Sequence, residues 1–210
     1  MEDLFSQYDK IINDLFELCK LYIQKNKIEE LCSYIENFTK TFYSDYMLRS
    51  KFISTITYAI PNFIILNKII NFTENDFILE IGAGNGYTST LLNNIGFTKI
   101  NITDNHSEKW FKSQYNFCEI EKIDAIDAVK KYNSHNVLMC LWLTNDDIAY
   151  KSLIEFKGNK LIYCGESEYG FNADNQFFSE LETNWEIDEI INNPKFLDTN
   201  DCFYFYIKKK

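Results

Sequence analysis

Arginine is nearly absent from this chain: Arg49 stands alone. There are two prolines, Pro61 and Pro194, and two histidines, His106 and His135. Lys+Arg total 21 against 31 Asp+Glu, a net charge of −10. Each shortage excludes something. A nonspecific nucleic-acid binder displaces counterions with a basic footprint, so this balance argues against nucleic acid as a partner, although a local basic groove would be compatible with it. Two prolines leave no Pro-rich linker. Two histidines without cysteine or carboxylate partners at ligand spacing give no metal set. None of the six cysteines (Cys19, Cys32, Cys118, Cys140, Cys164, Cys202) forms a C-x-x-C pair, and several sit in apolar runs. They read as buried reduced thiols of a cytoplasmic protein. No apolar run approaches the ~20 residues of a membrane span. The opening MEDLFSQYDK is acidic and lacks an apolar core, so no signal peptide is expected.

What is present is ordinary for a folded domain. Hydrophobic residues make up 46% and aromatics 17%, which excludes a disordered chain. The 210 residues suit one domain with an appendage, at about 150 residues per domain. Leu4, Tyr8, Ile11, Leu15, Leu18 and Tyr22 recur at helical spacing, with Phe5, Ile12, Phe16 and Cys19 widening the face. A second helix is predicted over Ile28–Tyr43. A third starts near Pro61, with Ile64, Ile65, the Lys68 stem and Ile69 inward.

From Phe77 the pattern changes to short apolar runs alternating with helical ones. Strands are predicted at 77–81, 99–103, 119–123, 136–143, 160–164, 185–191 and 203–207. Helices fall at 87–95, 127–132, 146–156 and 173–184. Alternation of this kind implies an α/β fold: a doubly wound, mostly parallel sheet. The continuous run NVLMCLWL fits a central strand covered on both faces. The last two strands, joined by a loop, form a hairpin, which makes one strand near the edge antiparallel.

Three of the seven glycines fall in one segment, Glu80-Ile81-Gly82-Ala83-Gly84-Asn85-Gly86-Tyr87, between a strand and a helix. Glycine lets the backbone turn and approach a ligand where a Cβ would clash. Tyr87 stands where a dinucleotide fingerprint needs its third glycine, and no Lys-Ser/Thr follows as in a phosphate loop. The spacing Glu-x-Gly-x-Gly-x-Gly resembles the first motif of class I S-adenosylmethionine-dependent methyltransferases. Asp104 lies 22 residues after Gly82, at the end of the second strand, Asp124-Ala125 follow the third, and Leu141-Trp142 end the fourth. Tyr58-Ala59-Ile60-Pro61, Ile162-Tyr163-Cys164-Gly165-Glu166 and Asp174-Asn175-Gln176-Phe177-Phe178 are similar to segments of a less characterised branch of that superfamily. That branch ends its fourth strand Trp-Pro-Pro, where this chain has Trp142-Leu143-Thr144.

The resemblance covers residues 61–210 and implies a seven-stranded class I methyltransferase-like sheet, with residues 1–60 as an N-terminal helical extension or lid. It implies S-adenosylmethionine as cofactor. The cofactor would be held by Glu80 (beside the methionine amino group), Gly82, Ala83, Gly84, Asn85, Gly86, Asp104 (at the ribose), Asn105, Asp124 and Ala125 (at the adenine), and Leu141 and Trp142. Trp142 and Glu166 are the candidates for the reaction itself. Glu168 and Tyr58 are secondary. His106 reads as a rim or loop residue and His135 as structural. The expected activity is methyl transfer to a small molecule or protein rather than nucleic acid. The alternative is a methyltransferase-fold binding subunit without turnover, which the Trp142-Leu143-Thr144 departure motivates. A nicotinamide-dependent oxidoreductase is a weaker third reading.

Overall fold

A computed structural model describes residues 2–107, 112–167, 170–197 and 199–210, with the side chains of residues 2–4 left aside. Four helices come first: α1 (Glu2–Gln24), α2 (Ile28–Thr41), α3 (Tyr46–Thr55) and α4 (Phe63–Thr73). Then follow β1 (Ile78–Ile81), α5 (Tyr87–Asn94), β2 (Ile100–Asp104), β3 (Glu121–Lys122), α6 (Ala125–Lys131), β4 (Val137–Leu141), α7 (Ile148–Glu155), β5 (Lys160–Gly165), α8 (Asn175–Asn184), β6 (Trp185–Asn192) and β7 (Cys202–Lys208).

The strands form one sheet in the order β3-β2-β1-β4-β5-β7-β6. Strands β1 to β5 are mutually parallel. β7 runs antiparallel to both β5 and β6, which places the reversed strand one position in from the edge. All five residues of β4 and all six of β5 are buried, because helices cover both faces there.

Side-chain alternation along the strands divides the core in two. Ile78, Val137, Met139, Leu141, Ile162, Cys164, Phe203 and Phe205 point to one face, where they join residues of α1 through α5. Leu79, Ile81, Leu138, Cys140, Leu161 and Tyr163 point to the other, against α6, α7 and α8. Residues of the first 60 positions therefore share a hydrophobic core with the sheet. The six cysteines are unpaired, and Cys19, Cys32, Cys140 and Cys164 are buried. Among the described residues no helix is long and apolar enough to cross a membrane.

The N-terminal region departs from the sequence expectation in three places. The buried stripe of α1 is Ile12, Leu15, Phe16 and Cys19, while Phe5 and Ile11 are exposed. In α4 the buried residues are Ile65, Leu66, Ile69 and Phe72, and Ile64 faces outward. Asn62 caps that helix by accepting from Ile65 N–H at 2.9 Å, so the helix starts at Phe63, two residues after Pro61. The Lys68 Nζ lies over the Phe72 and Phe205 rings, 5.7 and 5.3 Å from their centroids, and pairs with Asp188 and Glu189 at 2.8 and 2.7 Å. Third, α3 has no counterpart in the predicted elements. Asp45 caps it, with Leu48 N–H donating at 3.0 Å.

Candidate functional site

The carboxyl ends of β1, β2 and β4 and the start of α6 open on a cavity of about 590 Å3. This is the end of an open α/β sheet where loops converge to bind ligands. The glycine loop forms its floor. Gly82, Gly84 and Gly86 have φ of +62°, +59° and +75°, the left-handed region that favours glycine. Their surroundings differ. A Cβ on Gly82 would lie 2.4 Å from the Leu143 side chain, and one on Gly86 2.5 Å from Cys118 Sγ. A Cβ on Gly84 would meet nothing within 4 Å, since that position faces open cavity.

The loop is pinned from both sides. Ala83 N–H donates to Thr103 O at 3.0 Å, and Phe117 N–H to Asn85 O at 2.9 Å. The Asn85 side chain donates to Thr55 O and Ile56 O at 2.8 and 2.7 Å, which ties the loop to the end of α3. Asp104 accepts from Gly84 N–H at 2.9 Å through Oδ2 and from His106 N–H at 2.6 Å through Oδ1. Each carboxylate oxygen keeps a second lone pair for a ligand hydroxyl.

Glu80 is 2% exposed at the cavity's inner end. Its carboxyl accepts from Ser89 Oγ. Burial pushes its pKa from 4.5 up to about 8; the Ser89 bond works against this and the Asp104 charge adds to it. A carboxyl raised in this way binds a proton more tightly in the folded than in the unfolded chain. Its contribution to stability is therefore most favourable below pH 4.5 and is lost as pH rises towards about 8. Glu80→Gln removes that dependence. The stability of the wild type relative to this variant should fall between pH 5 and 8, by up to a few kcal/mol. Denaturant unfolding at several pH values measures it, and parallel curves for the two proteins would contradict the assignment.

Twelve residues carried the expected cofactor site. Eleven line the cavity: Glu80, Gly82, Ala83, Gly84, Asn85, Asp104, Asn105, Asp124, Ala125, Leu141 and Trp142. Gly86 does not; it backs onto Cys118 and Ile120 and serves the turn. Asp124 stands at the N-cap of α6 without making a cap bond, and accepts from Asn105 Nδ2 at 3.1 Å.

Trp142 holds φ +57°, a costly conformation for a bulky residue. Its N–H donates to Cys164 O at 2.7 Å, its ring lies 5.6 Å from that of Tyr58, and its indole Nε1 is buried without a hydrogen-bond partner. Glu166 is placed differently from the sequence expectation. It is 7% exposed, does not line the cavity, and spends both carboxylate oxygens on the amides of Phe171 and Asn200. Its carboxylate ties the chain at Phe171 to the chain at Asn200 and lies outside the cavity lining. Glu168 lies outside the described residues. His106 follows Asp104 with φ +56°. His135 is buried at the opposite end of the sheet, between the Phe77 and Tyr132 rings, with Nε2 2.8 Å from Asn101 Oδ1. Burial lowers its pKa.

Sequence reasoning missed the other wall. Ile53 and Ser54 of α3, Thr57 after it, Lys112, Tyr115 and Phe171 also line the cavity. Tyr115 is held by α1: its hydroxyl bonds Asn13 Oδ1 at 3.0 Å, and its ring meets Phe16 edge-on.

No family model and no curated protein matches the sequence. Among solved structures, one similar chain is a magnesium protoporphyrin IX methyltransferase from Synechocystis PCC 6803 with bound S-adenosylmethionine. It is 9% identical, with a TM-score of 0.48, over 85% of this chain and 97% of that one. An rRNA methylase from Streptococcus thermophilus is 10% identical, with a TM-score of 0.46, over 69% and 94%. A Streptococcus mutans chain provisionally described as a SAM-dependent methyltransferase is 12% identical, with a TM-score of 0.44, over 70% of this chain, which spans only 48% of its length. One expectation is corrected: a charge of −10 does not set nucleic acid aside, because net charge does not describe the local field at a binding face, and the similar chains include an rRNA methylase. The strand order, with β7 reversed between β5 and β6, gives this chain a class I methyltransferase-like fold.

Proposed function

We infer that the protein binds S-adenosylmethionine in this cavity and transfers its methyl group. One observation carries the reading: eleven of the twelve residues expected from the resemblance, scattered over 63 positions from Glu80 to Trp142, line a single cavity. The open space over Gly84 and the buried carboxyl of Glu80 suit the cofactor's backbone and its ammonium.

When bound, S-adenosylmethionine supplies an activated methyl group on a sulfonium. The chain's own part is placement. Asp104 and Asn105 hold the ribose edge, and Asp124 and Ala125 the adenine edge. Glu80 would accept from the methionine ammonium as a carboxylate, its proton passing to solvent. Trp142 and Leu141 wall the methyl side. Residues 1–60 act as an extension whose α3 closes the cavity. Alignment of donor and acceptor accounts for much of the acceleration of such a displacement, so a dedicated base is not required. The acceptor is a small molecule, a protein or a nucleic acid.

A ligand at a hundred times its Kd stabilises by about 2.7 kcal/mol, which in a chain of this size raises the melting midpoint by about 5–10 °C. S-adenosylmethionine and S-adenosylhomocysteine should both produce this rise, and NAD none. A flat response to the first two contradicts the reading.

A second reading is favoured by Trp142-Leu143-Thr144, which lacks the rigid Pro-Pro turn of the similar branch. On that reading the chain binds the cofactor as a partner subunit without turnover. It shares the thermal response and predicts no S-adenosylhomocysteine release with any acceptor.

A further inference from the structure

Phe171 is 75% exposed and yet lines the cavity. A ring so exposed adds little to folding, since apolar stabilisation scales with the area removed from water. The loop that presents it is nonetheless held by buried polar groups. Phe171 N–H donates to Glu166 Oε2 at 2.9 Å, and Asn200 N–H to Glu166 Oε1 at 3.2 Å. Glu166 N–H donates to Asn172 Oδ1 at 3.0 Å, and Asn172 Nδ2 donates to Leu143 O at 3.0 Å. Glu166 and Asn172 are 7% and 2% exposed. The clamp also requires Gly170, because a Cβ there would lie 2.4 Å from Glu166 Cβ. These hydrogen bonds thus hold the backbone that presents the exposed phenyl ring at the cavity wall, beside the loop after β4. Tyr58 and Trp142 contribute two more rings to the same cavity. Among the described residues its charged lining is Glu80, Asp104, Asp124 and Asp127 against Lys112.

We propose that Phe171 is the acceptor-recognition residue, that Glu166 and Asn172 are positioning residues for it, and that the acceptor presents a planar ring, neutral or cationic. The proposal rests on the reading of this cavity as a methyl-transfer site. A planar group stacks on a fixed aromatic face at little entropic cost. The excess of carboxyl groups disfavours an anionic ring and favours a cationic one, which a ring face also attracts.

Four probes of one skeleton test it by ligand-observed NMR with S-adenosylhomocysteine saturating: quinoline, N-methylquinolinium, quinoline-2-carboxylate and decahydroquinoline. The first two should bind, quinoline-2-carboxylate at least about fivefold more weakly than quinoline, and decahydroquinoline, a saturated cation at neutral pH, at least about fivefold more weakly than N-methylquinolinium. Phe171→Ala should weaken quinoline by about fivefold or more. It should leave S-adenosylhomocysteine affinity unchanged, and Phe171→Trp should retain quinoline binding. Glu166→Gln should weaken quinoline without altering the ring itself. No binding of quinoline, binding of decahydroquinoline equal to that of N-methylquinolinium, or undiminished quinoline binding in Phe171→Ala overturns the proposal. If S-adenosylhomocysteine does not bind while quinoline still depends on Phe171, the methyl-transfer reading fails and the ring contact stands.

Discussion

Gly84→Val should abolish S-adenosylmethionine binding in a protein that still folds. The new side chain starts in open space, because a Cβ at this position has nothing within 4 Å. It projects into the space proposed for the cofactor. The backbone adds strain, since a φ of +59° costs a β-branched residue about 1–2 kcal/mol. Gly96→Val separates the two effects. Gly96 has φ +98° and open space around its Cβ, but it follows α5 and does not line the cavity. Both variants should lose comparable stability, and only Gly84→Val should lose the ligand, by more than about a hundredfold, the equivalent of roughly 3 kcal/mol. Equal affinities in the two folded variants would move the cofactor away from this loop.

Asp104→Ala should lower affinity by about 30- to 1000-fold, the equivalent of two charge-assisted hydrogen bonds at roughly 2–4 kcal/mol in all. Two losses combine. The proposed ribose hydroxyls lose their acceptor, and so do the amides of Gly84 and His106, which lie 2.9 and 2.6 Å from the carboxylate. The second loss loosens the loop before any ligand arrives. Asp104→Asn keeps the shape and one carbonyl oxygen, but it sets an NH2 group against one donor; its affinity should fall between wild type and Asp104→Ala. A loss below about threefold in Asp104→Ala would contradict the role, because even one neutral hydrogen bond is worth more.

Much of this site is legible in the chain because its signals are local. Three alternate glycines after an apolar run mark the loop, and acidic residues at strand ends mark Asp104 and Asp124. The strand run at 136–143 announces β4 through its continuous apolarity, and the element found is Val137–Leu141. The N-terminal wall is less legible. The buried residues of α3 are only Leu48, Phe52 and Thr55, while Tyr46 and Met47 face outward, so its apolar stripe is thin. Its one clear sign is Asp45 at the cap. The role of Glu166 is not legible at all. One partner, the Asn200 amide, is 34 residues away, and the pairing exists only because β5 and β7 are neighbours in the sheet. Phe171 gives no periodic signal, and its position depends on that same clamp.

The central claim is that this cavity is an S-adenosylmethionine site. Calorimetric titration of the purified protein with S-adenosylmethionine, then S-adenosylhomocysteine, with NAD as control, tests it most directly. The account predicts one site per chain, Kd values in the micromolar range for the first two ligands, and no heat with NAD. Binding of NAD with no response to either sulfur ligand, or no binding of any of the three, would contradict it.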